Sequence, residues 1–390
     1  MYIGLTTCPH HASGNVGDQL ITDASIKLIE DIHGDTDINV HFRREDFTSR
    51  LDYVNSSDGI LCFGFPIVES STRPNIYRIA EDLAEVEVPI IPIGAVHNFY
   101  PGDKEELESR ELKSSTKSFL DQVVQNCPNG EMPVRTEWVG QMLRQNGYKT
   151  VLTGDPAWYD PEFTDEEFHK PDDIDQLVFT TPHSSHYIEQ AEELLRRLAR
   201  QFSDADRVMV LHSAPTDVDR ELFEPARSTG WDIHYASHNV ENLDLYRESD
   251  LHVGYRKHGH LAHLRWRRPS IVLAEDSRAQ GLNETLGTAG FPAFEAREGA
   301  LRQLGEIHSS IPVKGIYFAL RKLGGYDNIL PSRKNLIAPP NPTAIDDVFG
   351  FIKEQRQNNW EAFDQVQDVI DETYEDGMKP FLESAIDSTN

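Results

Sequence analysis

The sequence predicts an α/β protein in which two doubly wound domains face a cleft, followed by a long C-terminal helix. Three observations carry this reading. Short apolar runs alternate with helical patterns from Tyr2 to Leu152, and a second alternating series runs from Leu177 to Leu286. Between them, 156–175 is acidic, contains proline and shows no period, as a connection between units would. After Gly324 the alternation gives way to a Pro-rich stretch (Pro331, Pro339, Pro340, Pro342) and then to an extended helical period.

In the first series 2–7 reads as a strand and 18–31 as a helix with Leu20, Ile21, Ala24, Ile26, Leu28 and Ile29 on its apolar side. Residues 38–42, 59–63 and 89–93 read as strands, with helices at 74–86 and 103–125. A strand–helix–strand unit follows at Val134, 137–145 and 150–152. The second series places strands at 177–181, 208–211, 233–235, 251–253 and 270–273. Helices fall at 188–201, 218–228, 240–247, 259–266 and 278–286. The C-terminal helix begins near Ala344, with Ile345, Val348, Ile352, Trp360, Phe363, Val366, Ile370 and Tyr374 at helical spacing apart from one polar gap. The division is an N-terminal α/β domain at 1–160, a linker at 161–175, a second α/β domain at 176–325, and the Pro-rich connection and helix at 326–390.

The 390 residues carry 37 Lys+Arg against 65 Asp+Glu, a formal charge of −28, which argues against nucleic acid as a partner. Of the cations 25 are Arg and 12 Lys, and an acidic, Lys-poor surface suits concentrated salt, where the Debye length falls to about 3 Å at 1 M. No apolar run approaches the roughly 20 residues of a membrane span, and no signal peptide is apparent. Cys8, Cys62 and Cys127 are widely spaced without a CxxC pair, so neither a disulfide framework nor a Cys-built zinc site is expected. A reducing cytoplasm fits.

Between the first strand and the first helix lies Gly14-Asn15-Val16-Gly17-Asp18. Its glycines permit a tight loop whose N–H groups face an anion, or the segment is a plain helix cap with Asp18 as N-cap. The window 251–274 holds no acid but has Arg256, Lys257, Arg265, Arg267 and Arg268 together with His252, His258, His260 and His263. Arg256, Lys257 and His258 fall where a strand ends and a helix begins, the edge at which open α/β sheets bind ligands. That reads as an anion site with proton transfer, or as a basic helix. Packing or substrate contact is the default for His260 and His263, because no Asp, Glu or Cys in the window completes a metal set. For His183 and His186 a loop or capping role is expected, for Arg135 a surface salt bridge, and for Asp155-Pro156-Ala157 a structural turn. A second acid-poor stretch at 307–345 reads as core with a basic edge, or as a surface for anionic lipid headgroups.

The ordered set Gly14-Asn15-Val16-Gly17-Asp18, Val134-Arg135-Thr136-Glu137, Gly154-Asp155-Pro156-Ala157 and Tyr255-Arg256-Lys257-His258, followed by Arg268-Pro269-Ser270, resembles the polysaccharide pyruvyl transferase family. Two departures stand out: Gly64-Phe65-Pro66 where the family has a Gly-rich run, and Lys257 where it often has an apolar residue. The resemblance implies two Rossmann-like domains in a glycosyltransferase-B-like arrangement. It also implies transfer of an enolpyruvyl unit from phosphoenolpyruvate to a sugar of a glycan or lipid-linked precursor, forming a cyclic ketal without metal or organic cofactor. Arg135 and Arg256 would clamp the donor with Lys257 adding charge, and His258 would be the general acid/base. Gly14, Asn15, Gly17 and Asp18 would face the acceptor, and Asp276 and Arg278 would line the same cleft. The competing readings are a sugar-nucleotide glycosyltransferase of the same fold and a non-catalytic glycan-binding protein. Peripheral membrane contact is an expectation of the basic stretch.

Overall fold

The structure, a computed structural model, describes residues 1–8, 14–69, 72–97, 104, 107, 109–287, 289–295 and 338–387. The first sheet contains β1 (Tyr2–Thr6), β2 (Ile38–Phe42), β3 (Gly59–Phe63) and β5 (Ile90–Ile93), all parallel in the order β2-β1-β3-β5. Beyond β5 lie the short β4 (Pro66–Ile67) and β6 (Val96–His97) pair, and the parallel β7 (Glu131–Val134) and β8 (Lys149–Leu152). A bridge from Ala95 to Val134 seats β7 beside the end of β5.

The second sheet is formed by β9 (Gln176–Thr180), β10 (Asp206–Leu211), β11 (Asp232–Tyr235), β12 (Leu251–Gly254), β13 (Ser270–Ala274) and β14 (Gly290–Pro292). Its order is β11-β10-β9-β12-β13-β14, again all parallel. Every residue of β1, β3, β12 and β13 is buried, as expected of parallel strands covered on both faces by crossover helices. Strand order reverses between β1 and β3 and between β9 and β12, so each sheet has one switch point at its carboxyl edge. The protein is thus two doubly wound, Rossmann-like α/β units, and these edges meet in one cleft.

Some elements differ from expectation. The helix anticipated at 74–86 is a single turn, Thr72–Asn75, and a 3₁₀ turn, Leu83–Glu85. Arg73 is extended at φ −118° because the following Pro74 disfavours the helical region there. The described part of the helix expected from 103 is Ser114–Gln125. The helix expected at 240–247 is a 3₁₀ turn, Val240–Leu243, followed by one α turn, Leu245–Glu248.

The long C-terminal helix is three: Ala344–Gln357, Ala362–Thr373 and Lys379–Asp387. The first break falls at the polar gap, where Asn359 and Trp360 take φ of 51° and 57° and Trp360 turns inward to donate from Nε1 to Pro171 O at 2.8 Å. The second is a π turn, Tyr374–Met378, in which Gly377 packs so tightly on β8 that a Cβ would lie 2.0 Å from Leu152 O. The segment therefore crosses from β14, where Phe351 meets Phe291, back to the first sheet, where Ile386 O accepts from Tyr2 Oη at 3.3 Å. The connection at 161–175 is packed rather than free, with Phe168 and Ile174 buried and Phe168 5.6 Å from Phe363 between ring centres. Residues 296–337, and with them most of the second acid-poor stretch, lie outside the described residues. Among the described residues no helix is long and apolar enough to cross a membrane.

Candidate functional site

Arg135 follows β7 and is buried at 4% exposure, which corrects the expectation of a surface salt bridge. Its Nε donates to Gly94 O at 2.8 Å and its Nη1 to Asp155 Oδ2 at 2.7 Å. Gly64 and Gly94, both at positive φ, make the room: a Cβ on Gly64 would lie 2.6 Å from Arg135 Nη2 and one on Gly94 3.2 Å from Nε. Gly64-Phe65-Pro66 thus still supplies one of the two glycines that make room for the guanidinium.

Asp155 forms the expected turn, accepting from Ala157 N at 3.2 Å, but it also accepts from Lys257 Nζ at 2.9 Å. One carboxylate therefore joins a cation of the first sheet to one of the second. Burial pushes its carboxyl up, and Arg135 and Lys257 outweigh this and hold it below the usual range. Burial lowers the Lys257 ammonium to about 8 despite Asp155.

The Gly14–Asp18 loop is capped by Asn15, whose side chain accepts from Gly17 N at 2.9 Å, so the N-cap is not Asp18. Asp18 lines the cleft instead. The loop does more than face an acceptor: Val16 N donates to His212 O at 2.8 Å and Gly14 O accepts from His238 N at 3.1 Å, tying it to the second sheet. His258 lies directly against it. A Cβ at Gly17 would sit 2.1 Å from His258 Nδ1, so no larger residue fits beneath the imidazole.

His258 is not the near-neutral group that a histidine acid/base ordinarily is. Burial, then Lys257, Arg135 and Arg278, push its pKa well below 6.5, leaving a neutral ring whose buried Nε2 has no hydrogen-bond partner. Arg256, 3% exposed, packs on His183 with Nη1 2.7 Å from Nε2, and its Nη2 stands 3.9 Å from Asp219 Oδ1. His183 is therefore part of the cleft rather than a cap; the capping oxygen is that of Ser184. Arg278 pairs with Asp276, which caps the helix Ser277–Leu286. Both line the cleft, as expected.

Sequence reasoning missed Glu275, the first acid after the acid-free window and therefore at the carboxyl end of β13. Its carboxylate accepts from His183 N at 2.9 Å and Ser184 N at 3.2 Å, and burial raises it to about 7. His252, His260 and His263 are fully buried core residues: His252 Nδ1 and His260 Nδ1 each lie 2.7 Å from Ser270 Oγ, and His263 Nε2 2.8 Å from Ser249 Oγ. No cluster of metal-binding side chains occurs among the described residues.

Folding also changes the charge argument. Four of the five cations of the acid-free window pair with distant acids: Arg256 meets Asp219, Lys257 Asp155, Arg265 Asp160 and Arg267 Asp371. Buried charges require such partners. The cleft is therefore an ion-paired lattice rather than a basic basin, in two adjoining cavities of about 70 and 230 Å³ that share Asp18, Lys257, His258 and Arg278.

These features define a two-sheet α/β protein with a buried, ion-paired cleft between its carboxyl edges. No family model matches the chain, and no curated protein does. Among solved structures, it is similar to MnaA of S. aureus with UDP, at TM-score 0.47 and 13% identity over 92% of this chain and 96% of that one. WaaG, a glycosyltransferase involved in lipopolysaccharide biosynthesis, overlaps at TM-score 0.47 and 9% identity over 100% of both chains. The UDP-GlcNAc 2-epimerase from Neisseria meningitidis bound to UDP-GlcNAc gives TM-score 0.44 and 10% identity over 90% of this chain and 99% of that one.

Proposed function

We propose that the protein transfers the enolpyruvyl unit of phosphoenolpyruvate to a sugar and closes it to a cyclic ketal. The observation that carries this reading is convergence: Arg135 after β7, Arg256, Lys257 and His258 after β12 and Arg278 after β13 come from three strand ends, and Lys257, His258 and Arg278 line both cavities while Arg256 lines the smaller and Arg135 the larger. Carboxylate and phosphate are recognised by guanidinium forks, which here are held in place by Asp155, Asp219 and Asp276.

The proton chemistry falls to two groups pushed in opposite directions, the arrangement by which one site holds a base and an acid at neutrality. Neutral His258, with Nε2 free, takes the proton of the attacking sugar hydroxyl as its oxygen bonds to C2 of the donor. Glu275, near 7 and so about half protonated at neutrality, gives its proton to the methylene carbon, which becomes the methyl group. A second hydroxyl then bonds to C2 as the C2–O bond to phosphate breaks, the leaving oxygen keeping the electron pair. Glu275 recovers a proton from that hydroxyl and His258 passes its own to phosphate. Residues of this chain suffice for these steps. The acceptor is a glycan or lipid-linked sugar, met in the cytoplasm or at the membrane face.

Phosphate release and ketal formation, measured with phosphoenolpyruvate and a cell-derived glycan fraction, test the assignment. His258→Ala abolishes both while the fold persists; wild-type turnover in that variant sinks it. One observation favours a second reading, a sugar-nucleotide glycosyltransferase: Glu275 and Asp276 put carboxylates on the cleft wall, the group a ribose would need. Thermal shift with phosphoenolpyruvate against a sugar-nucleotide panel separates the two.

A further inference from the structure

The larger cavity has a further cation on its wall. Arg43 follows β2, its backbone N–H held by Thr6 O at 2.7 Å beside the carboxyl end of β1, and it lines the same 230 Å³ space as Arg135, Lys257 and His258. That volume equals roughly eight waters, the scale of one sugar ring. The Arg43 guanidinium makes no hydrogen bond or ion pair among the described residues, and its Nε is buried without a partner. Arg135, Arg256, Lys257 and Arg278 each have a carboxylate. Of the arginines and lysines that line the two cavities, Arg43 is thus the one whose charge no carboxylate meets among the described residues.

We infer that Arg43 is a subsite for an anionic substituent, carboxylate or phosphate ester, on the acceptor sugar. The inference rests on the proposed function, in which Arg135 and Arg256 hold the donor and Arg43 is left to the acceptor. A planar fork with an unmet N–H is matched by a two-oxygen anion, and a partly desolvated guanidinium gains most from such a partner. A ring filling the cavity with its hydroxyls toward His258 carries its substituent to Arg43.

Calorimetric titration with methyl glucoside, methyl glucuronoside and methyl glucoside 6-phosphate, at fixed ionic strength, tests this. The wild type binds at least one anionic glycoside about tenfold or more tighter than the neutral one, and whichever anion is preferred names its source. Arg43→Gln erases the preference and Arg43→Lys keeps part of it, both with unchanged circular dichroism. Equal affinity for all three, no binding of any, or a preference that survives in Arg43→Gln overturns the subsite. Phosphoenolpyruvate titrated into the same wild-type samples reads the donor end separately. Its failure to bind removes the proposed donor while the glycoside result stands, and its binding without a glycoside preference removes Arg43 alone.

Discussion

Mild acid should destabilise this protein through histidines that never meet substrate. His260 and His263 are 0% exposed, and burial holds both down to about 3 in the folded state, against 6.5 when free. Below pH 6.5 the unfolded chain takes up protons that the folded one refuses, so stability is complete above that pH and falls as pH drops. Each histidine contributes about 1.4 kcal/mol per pH unit, so the two together cost about 4 kcal/mol between pH 6.5 and about pH 5. Glu275 works the other way. Its folded pKa of about 7 lies above the free 4.5, so acid stabilises it in the folded state, offsetting about 2 kcal/mol over the same range. His212 and His252, buried and pushed well below 6.5, add to the loss. A net fall of at least about 2 kcal/mol is large against the usual 5–15 kcal/mol of a folded domain. Urea unfolding followed by tryptophan fluorescence across this range, in constant salt, measures it. His260→Gln should flatten the slope by about 1.4 kcal/mol per pH unit. Stability that is level or rises toward pH 5 would refute the reasoning.

Three further outcomes follow from the same geometry. Gly17→Ala places a methyl where His258 Nδ1 now lies 2.1 Å from the ideal Cβ position, so turnover should fall by about 100-fold or more while phosphoenolpyruvate affinity holds; equal losses in both would point to general unfolding. Asp155→Asn leaves buried Arg135 and Lys257 without their shared carboxylate and should cost about 3–5 kcal/mol in chemical denaturation. At −28 the chain should unfold more readily in tens of millimolar salt than in molar salt, and matching midpoints would dismiss the halophilic reading.

The strands were legible because parallel strands covered on both faces are short apolar runs, as in Gly59–Phe63 and Ser270–Ala274. The residues at their carboxyl ends were legible too, since strand-to-helix junctions locate Arg256 and Arg135 without side-chain detail. Pairing was not. The acids that neutralise Lys257 and Arg267 lie 102 and 104 residues away, so a window free of acid in sequence became an ion-paired lattice in space. Protonation state was equally hidden: His258 and Glu275 have ordinary side chains, and only burial beside particular charges separates them. The helix expected at 74–86 failed locally, on Pro74, and the C-terminal helix at a run of Asn before an inward-turning Trp360.

The return of the C-terminal segment to the first sheet sets an order on synthesis. Tyr2 is made 384 residues ahead of Ile386, whose carbonyl accepts from its hydroxyl. Gly377 likewise fits against Leu152 only after some two hundred intervening residues have left the ribosome. The first sheet thus emerges with a face still uncovered and must wait, partly wet, for the helix Lys379–Asp387 to seal it. Fragments cut between the two sheets should aggregate unless residues 379–387 are supplied in trans.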